Sequence, residues 1–445
     1  MSRETTVQTT GVRPRTAQGP ARTYAPPLPP LARPGIGGLG VLNALRRNGY
    51  SAFPACCLDE PVLRLRLPWG ALVVASGAEE IGQVLHGNAE GYARLAAGRR
   101  ILGPIVGRGL LTAEGAAWRR QRKMMAPAFT PRTVPVLAAH IMRCGETTCA
   151  ALAADDGPVD LLAAMQALAL EIGAVSMFSL ESAGFDAEMR AMVTSYMRGV
   201  GRPRPSDFLL PPGIPTPIAA RRRAFRRRWT RLIDGVIARR RAQGPASDAR
   251  DLFDLMAAAL GEGEDDLLRD EVSTMIVAGH ETTALSLFWA CLMLAHAPYW
   301  QTAIAEEACG VDLSPERAAD SLPRLAVTRA VVRETMRLYP PAFMSARRAV
   351  RPDTLGGLTI PAGAMVLLPL FLLHRDRLLW AEPDTFDPAR FLDGPEPGRF
   401  DYLPFGAGPN TCIGAQLAMT EAVLVLARLF RDSTLRLDFP ARIAD

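Results

Sequence analysis

The chain holds 445 residues, 49% hydrophobic and 22% charged, which is ample for a large buried core and too apolar for a disordered chain. Its net charge of +6 is carried by fifty arginines and a single lysine, Lys123; so lopsided a choice of cation reflects codon usage, and no nucleic-acid role is read from it. Seven cysteines at irregular spacing exclude a disulfide framework and point to a reducing compartment, taken as the cytoplasm.

Residues 1–34 are rich in Pro, Thr and Arg without an apolar core, which excludes a secretory signal and predicts a disordered tail. No run of about 18 apolar residues stands out, so no transmembrane helix is expected. "GLGVLNALRR" predicts a short helix. "PVLRLRL" alternates apolar and polar residues and, with "ALVVAS" after "PWG", predicts a hairpin. Helical patterns then dominate to about residue 345, broken at the Gly/Pro-rich stretch 201–217. "RRRAFRRRWTRLIDGVIARRR" is a basic helix, most simply a solvated face, alternatively a surface for a membrane or partner.

Residues 265–296 carry the longest helical pattern, roughly 45 Å at ~1.5 Å per residue. A helix follows over 325–338, then short strands in "LGGLTIP" and "AMVLLPL". An irregular Pro/Asp-rich segment (381–404) leads to a cysteine turn and a last helix over 413–431. The reading is a mainly α chain with a small β part, one compact domain over 35–445.

The turn reads "FGAGPNTCIG", residues 405–414. Gly tolerates positive φ and lets backbone approach a neighbour closely, so Gly406, Gly408 and Gly414 suggest a thiol held toward something flat and near. Cys412 precedes a helix, where the dipole and free N–H groups favour a thiolate. Local chemistry leaves three roles open: a buried structural thiol, a metal ligand or a nucleophile.

The spacing of Phe405, Gly408, Cys412 and Gly414 resembles the haem-binding loop of the cytochromes P-450, the haem-thiolate monooxygenases, and three further motifs stand in that family's order. The resemblance covers about residues 35–438. It implies a triangular, α-rich prism with small β-sheets and, as cofactor, haem b (iron protoporphyrin IX). Cys412 is then the iron's protein ligand, a thiolate that pushes electron density to favour O–O cleavage. Backbone N–H groups after it tune the sulfur, and Phe405 shields it.

"AGHETTA" (278–284) places glycine in mid-helix at a cost of about 1 kcal/mol relative to alanine, which suggests a local opening. His280-Glu281 is not a zinc-protease motif, because Ala284 stands where the second histidine is needed. In the resemblance, Ala278 and Gly279 border a groove for dioxygen, Thr282 hydrogen-bonds its distal oxygen, and Glu281 relays protons from solvent.

In "ETMRLYPP", Glu334 and Arg337 form an i, i+3 pair that alone means little. In the family such a pair is buried and completed by a further arginine, here Arg390, and pins the segment before the cysteine loop. The family's Trp-x-x-x-Arg helix is matched by Trp118 and Arg122, and Arg347 stands where relatives place a haem-propionate ligand. Asn410 replaces the Arg or His usual two residues before the cysteine, so one charge-assisted contact is expected to be missing. The chain also ends at "TLRLDFPARIAD", where relatives continue into strands, and one pocket wall is expected to be absent.

Tyr92, Leu95, Ile101, Leu102, Met275, Ala342, Phe343 and Met344 are the expected pocket residues. They are mostly apolar, which implies a lipophilic substrate; "RLYPPAFMSARRA" hints at a fatty acid, terpenoid or steroid. With no flavin or iron–sulfur domain attached, electrons are expected from a ferredoxin or flavodoxin with its reductase, docking on Arg119, Arg120 and Lys123. The expected protein is a bacterial, monomeric monooxygenase using O2. Two alternatives stay open at this point: a haem-thiolate isomerase, dehydratase or peroxygenase, and a non-catalytic haem-binding protein.

Overall fold

The computed structural model describes residues 6–10 and 22–437 apart from 69, 155–156, 180–184, 211–212, 245–248 and 262. Its spine is the helix Asp265–His296, 32 residues long. Asp265 and Asp266 lie in its first turn, where the dipole favours acids. It ends at Ala297, which leaves the helical region ahead of Pro298. Most of its residues are buried on every side, the pattern of a core helix rather than a surface one.

Leu161–Phe178 lies along this spine, and Val134–Ala153 and Ala415–Asp432 close the same cluster around Ile172, Ala284, Leu287, Cys291, Leu424 and Phe430. Leu161–Phe178 starts where Asp160 accepts from Ala163 N at 3.0 Å and stops at Ser179 in the left-handed region. Each fully buried Leu, Ile or Phe contributes about 1.5–3 kcal/mol here, so one polar substitution in the cluster outweighs most surface changes.

By length and composition, Leu161–Phe178 (mean hydropathy 1.7) and Asp265–His296 both suffice to cross a membrane, which corrects the sequence reading that no such run exists. Both are 56% buried inside the protein over their most apolar window, so their apolarity is used in packing against each other.

The predicted hairpin forms between Val62–Leu67 and Gly70–Ala75, Val62 opposite Ala75. It belongs to a larger sheet. Met365–Leu368 pairs parallel with Gly70–Ala75, Ser345–Ala349 follows antiparallel, and Tyr92–Arg94 closes the edge with Arg94 opposite Arg347. That last pairing brings two cations together from positions 253 apart in sequence.

The tail differs from expectation. Thr6–Thr10 is a strand between Thr434–Leu437 and Pro158–Asp160. From Arg22 the chain is packed. Tyr24 exchanges backbone hydrogen bonds with Phe386 and stacks on His296 at 4.1 Å, and Trp300 Nε1 donates to Arg22 O at 2.7 Å. An aromatic residue with satisfied backbone partners anchors what composition alone reads as disordered. Residues 1–5, 11–21 and 438–445 lie outside the described residues.

Candidate active site

The cysteine loop is held by its own backbone. Gly406 N donates to Leu403 O at 3.0 Å, Thr411 N to Gly408 O at 3.1 Å and Cys412 N to Phe405 O at 2.9 Å. Gly408 has φ +69°, and a Cβ there would stand 1.9 Å from Leu85 O, so only glycine lets the loop rest on the segment Gln83–Gly87. Gly414 departs from the expectation: its φ is −88°, and its use is to cap the helix Ala415–Asp432 and aim its N–H at the Cys412 sulfur.

The Cys412 side chain is exposed, and Phe405 packs into the core beside it. Although the residue is exposed, the loop atoms crowding the sulfur strip water from it and push the thiol's pKa up, while the Gly414 N–H and the Arg122 guanidinium pull it down. Neither of those groups is a base, so the nucleophile reading gains nothing. A soft metal ion would displace the proton outright.

Two arginines reach this loop with their side chains. Trp118 and Arg122 sit on Gly115–Met125, and Arg122 Nη1 donates to Thr411 O at 2.8 Å, one residue before the cysteine. Arg94 Nη2 donates to Asn410 Oδ1 at 2.9 Å, and its Nη1 reaches the carbonyls of Leu110, Leu111 and Ala113. Sequence reading missed Arg94; it lies in a three-residue strand too short to announce itself. A guanidinium thus stands beside position 410, delivered by a different segment.

Arg347 lies across the ladder from Arg94, and among the described residues its guanidinium donates only to Ser345 Oγ and Ala346 O. Burial and the neighbouring Arg94 charge bring its pKa down to about 10, so it stays charged at neutral pH. Burial lowers the Arg94 pKa as well, with Glu114 opposing. Among the described residues neither arginine is in an ion pair. Two partly desolvated cations side by side are costly unless an anion lies between them.

The spine carries the remaining chemistry. Ala278, Gly279 and Thr282 are exposed in an otherwise buried stretch, with half-buried Met275 and Ser286 continuing the stripe. A Cβ at Gly279 would meet nothing within 4 Å. The helix runs unbroken through this point, so the local opening expected from sequence is absent; small side chains make the room instead. Thr282 Oγ1 donates to Ala278 O at 2.7 Å, the back-bond typical of a helical threonine. Ile413 and Leu417, just after Cys412, pack against the cluster that holds Val272 and Ile276 of the spine.

Glu334 and Arg337 are fully buried and paired twice, at 2.7 and 2.9 Å; Arg390 Nε joins Glu334 at 3.0 Å. Arg337 also donates to the carbonyls of His374, Pro383 and Thr385, and Glu334 accepts from Asp387 N. The triad ties down residues 383–390, and Leu403 N, donating to His374 Nε2 at 2.8 Å, fixes the entry to the cysteine loop.

Some expected pocket residues are used elsewhere. The Tyr92 hydroxyl donates to Asp353 at 2.7 Å, and Phe343 stacks on Tyr50. Leu102 and Met275 border one cluster with Ile105 and Ile276.

The donor set fits an iron porphyrin. The Cys412 sulfur offers a single protein ligand, which suits an iron that a porphyrin already holds through its ring nitrogens. The ring's two carboxylates would meet the unpaired guanidiniums of Arg94 and Arg347.

Comparison with known proteins agrees. The cytochrome P450 family model matches residues 27–438. Cyclooctatin synthase of Streptomyces melanosporofaciens is 33% identical, over 93% of this chain and 91% of that protein. Cyclooctat-9-en-7-ol 5-monooxygenase of the same species is 33% identical over 73% and 72%, and a cytokinin hydroxylase of Arabidopsis thaliana 32% identical over 73% and 66%. Among solved structures, a mutant cytochrome P450DA heme domain superposes with TM-score 0.73 at 23% identity, covering 90% of each chain. CYP175A1 from Thermus thermophillus gives 0.67 at 26%, covering 91% and 92%. The chain belongs to the cytochrome P450 family, and it is a haem-dependent monooxygenase.

Proposed function

We propose that this protein binds haem b through Cys412 and inserts one oxygen atom of O2 into a lipophilic, hydrocarbon-rich small molecule of the terpenoid type. The observation that carries the reading is the exposed Cys412 sulfur, held by glycine turns beside unpaired guanidiniums. The terpenoid choice is supported by the relatives, one of which is named for oxygenating cyclooctat-9-en-7-ol.

When bound, haem b supplies the iron at which dioxygen is activated with two externally supplied electrons. Cys412 ligates that iron, with the Gly414 N–H moderating the charge on sulfur. Arg94 and Arg347 hold the ring's carboxylates, and Arg122 fixes the loop through Thr411 O. Trp118 adds a half-buried indole on the same helix as Arg122. Gly279 leaves space for a diatomic molecule, and the Thr282 hydroxyl gives up its bond to Ala278 O to donate there. Glu281, a third exposed, links that hydroxyl to solvent protons.

Electrons come from a ferredoxin or flavodoxin steered to Arg119 and Lys123, both exposed on the Trp118 helix; Arg120 is paired there with Glu264. The test is turnover of a terpene-alcohol panel with an acidic ferredoxin, its reductase and NAD(P)H under labelled dioxygen. One labelled oxygen per product molecule, requiring both NAD(P)H and O2, is expected. Isomerised or dehydrated product without NAD(P)H would contradict the reading.

A further inference from the structure

The acid that feeds Thr282 sits in a small polar cluster that the mechanism above does not use. Gln166, half-buried on Leu161–Phe178, points its Nε2 at both carboxylate oxygens of Glu281, 3.3 Å to each. The same residue's backbone carbonyl takes a bond from His280 Nε2 at 3.1 Å. The His280 ring is buried, its side chain 3% exposed. Its other nitrogen, Nδ1, has no hydrogen-bond partner among the described residues and lies 3.9 Å from Glu281 Oε2.

A carbonyl only accepts, so Nε2 must carry the proton and the neutral ring presents a bare lone pair at Nδ1. A carboxylate cannot bond to that lone pair, because both are acceptors. A protonated carboxyl can, after a rotation that closes about an ångström of the 3.9 Å gap. The amide of Gln166 has the opposite preference: its N–H groups favour the charged carboxylate. Glu281 therefore has one partner for each of its two protonation states, and both partners are fixed by residue 166. The other charged group acting on His280 is Arg190 of Phe185–Arg198, which, together with burial, keeps the ring neutral against the pull of Glu281.

We infer that Gln166 and His280 are positioning residues that form a two-state cradle for Glu281, the amide holding the carboxylate and the imidazole Nδ1 receiving the carboxylic acid. The inference rests on Glu281 being the proton relay. In the cycle a solvent proton moves onto Glu281 and the acid rests against Nδ1; on leaving Nδ1 the carboxyl donates that proton to Thr282 Oγ1 while the hydroxyl gives its own proton to the diatomic molecule held beside Gly279. The carboxylate then returns to Gln166. A neutral amide latch lets the acid swing, where a guanidinium at position 166 would lock it ionised.

The two partners must act in opposite directions, which makes the test specific. The haem-loaded enzyme is assayed for NAD(P)H-driven oxygen consumption with a ferredoxin and its reductase, across pH. Gln166→Leu removes the partner of the charged form and should raise the Glu281-dependent midpoint by about half to one pH unit, a three- to tenfold change in the protonation constant. His280→Phe removes the partner of the neutral form and should lower it. Independently of turnover, ¹⁵N spectra of histidine-labelled, carbon-monoxide-bound ferrous protein should show His280 as the Nε2–H tautomer, with Nδ1 unprotonated at neutral pH. Equal midpoints in wild type and both variants, or a protonated Nδ1, would overturn the cradle while Glu281→Gln still abolishes the midpoint. A Glu281→Gln enzyme with an unchanged profile would instead remove the relay reading, and the cradle with it.

Discussion

Individual side chains set the chemistry, and two of them give direct tests. Thr282 is exposed on the spine with its hydroxyl parked on Ala278 O, so its removal costs the fold little. Thr282→Ala should leave haem binding intact and divert at least about tenfold more of the consumed NAD(P)H to hydrogen peroxide than to product, measured as the peroxide-to-product ratio. Glu421 behaves differently. It is buried one helix turn beyond Leu417, its Oε1 has no partner, and burial alone raises its pKa to about 8. A carboxyl raised in the folded state costs stability as pH climbs from its unfolded value near 4.5 toward 8. Glu421→Gln should therefore stabilise the protein by ~2–4 kcal/mol at pH 8, read by chemical denaturation, with the gain vanishing near pH 4.5.

At the scale of elements, the buried Glu334–Arg337–Arg390 triad couples the helix Ala326–Leu338 to the strapping segment that leads into the cysteine loop. Breaking it leaves an uncompensated charge in the core, so Glu334→Gln should cost about 3–5 kcal/mol. Urea titration should show the loss, and haem content should fall with it. The strand pair Tyr92–Arg94 and Ser345–Ala349 has a matching role: Arg94→Gln should lower haem retention, measured as the rate of haem transfer to apomyoglobin. Helices were readable from sequence because 3.6-residue periodicity is local: the spine at 265–296, the basic helix and the Glu334 helix fall within a few residues of their predicted ranges. The cysteine turn was readable because three glycines and a proline crowd one thiol. Arg94 and Gln166 were not readable. Their partners lie 316 and 115 residues away, and nothing in a three-residue strand or a single glutamine on an apolar helix announces a distant contact. Glycine's helical cost at 279 suggests distortion from sequence, whereas in the folded chain the residue keeps the helix unbroken and supplies space.

For the whole molecule, the buried titratable groups set a narrow range of best stability. Burial lowers the His374 pKa to about 3 and lowers those of His280 and His296, so each disfavours the folded state as pH falls below about 6.5. Glu271, raised to about 7, and Glu421, raised to about 8, disfavour it as pH rises from about 4.5 to those values. Between pH 4.5 and 6.5 the two sets oppose one another; from 6.5 to about 8 the glutamates act alone, and below 4.5 the histidines are joined by carboxylates such as Asp254 and Asp353, whose pKa the fold lowers. Thermal melting followed across pH should thus peak near pH 6 and fall on both sides, and a plateau extending to pH 9 would refute this assignment. The account as a whole hangs on one bond, and the spectrum of the dithionite-reduced, carbon-monoxide-treated protein tests it most directly. Thiolate ligation from Cys412 predicts the strongly red-shifted Soret band that names the family, lost in Cys412→His. An unshifted band in the wild type, or a shifted one that survives that substitution, would contradict it.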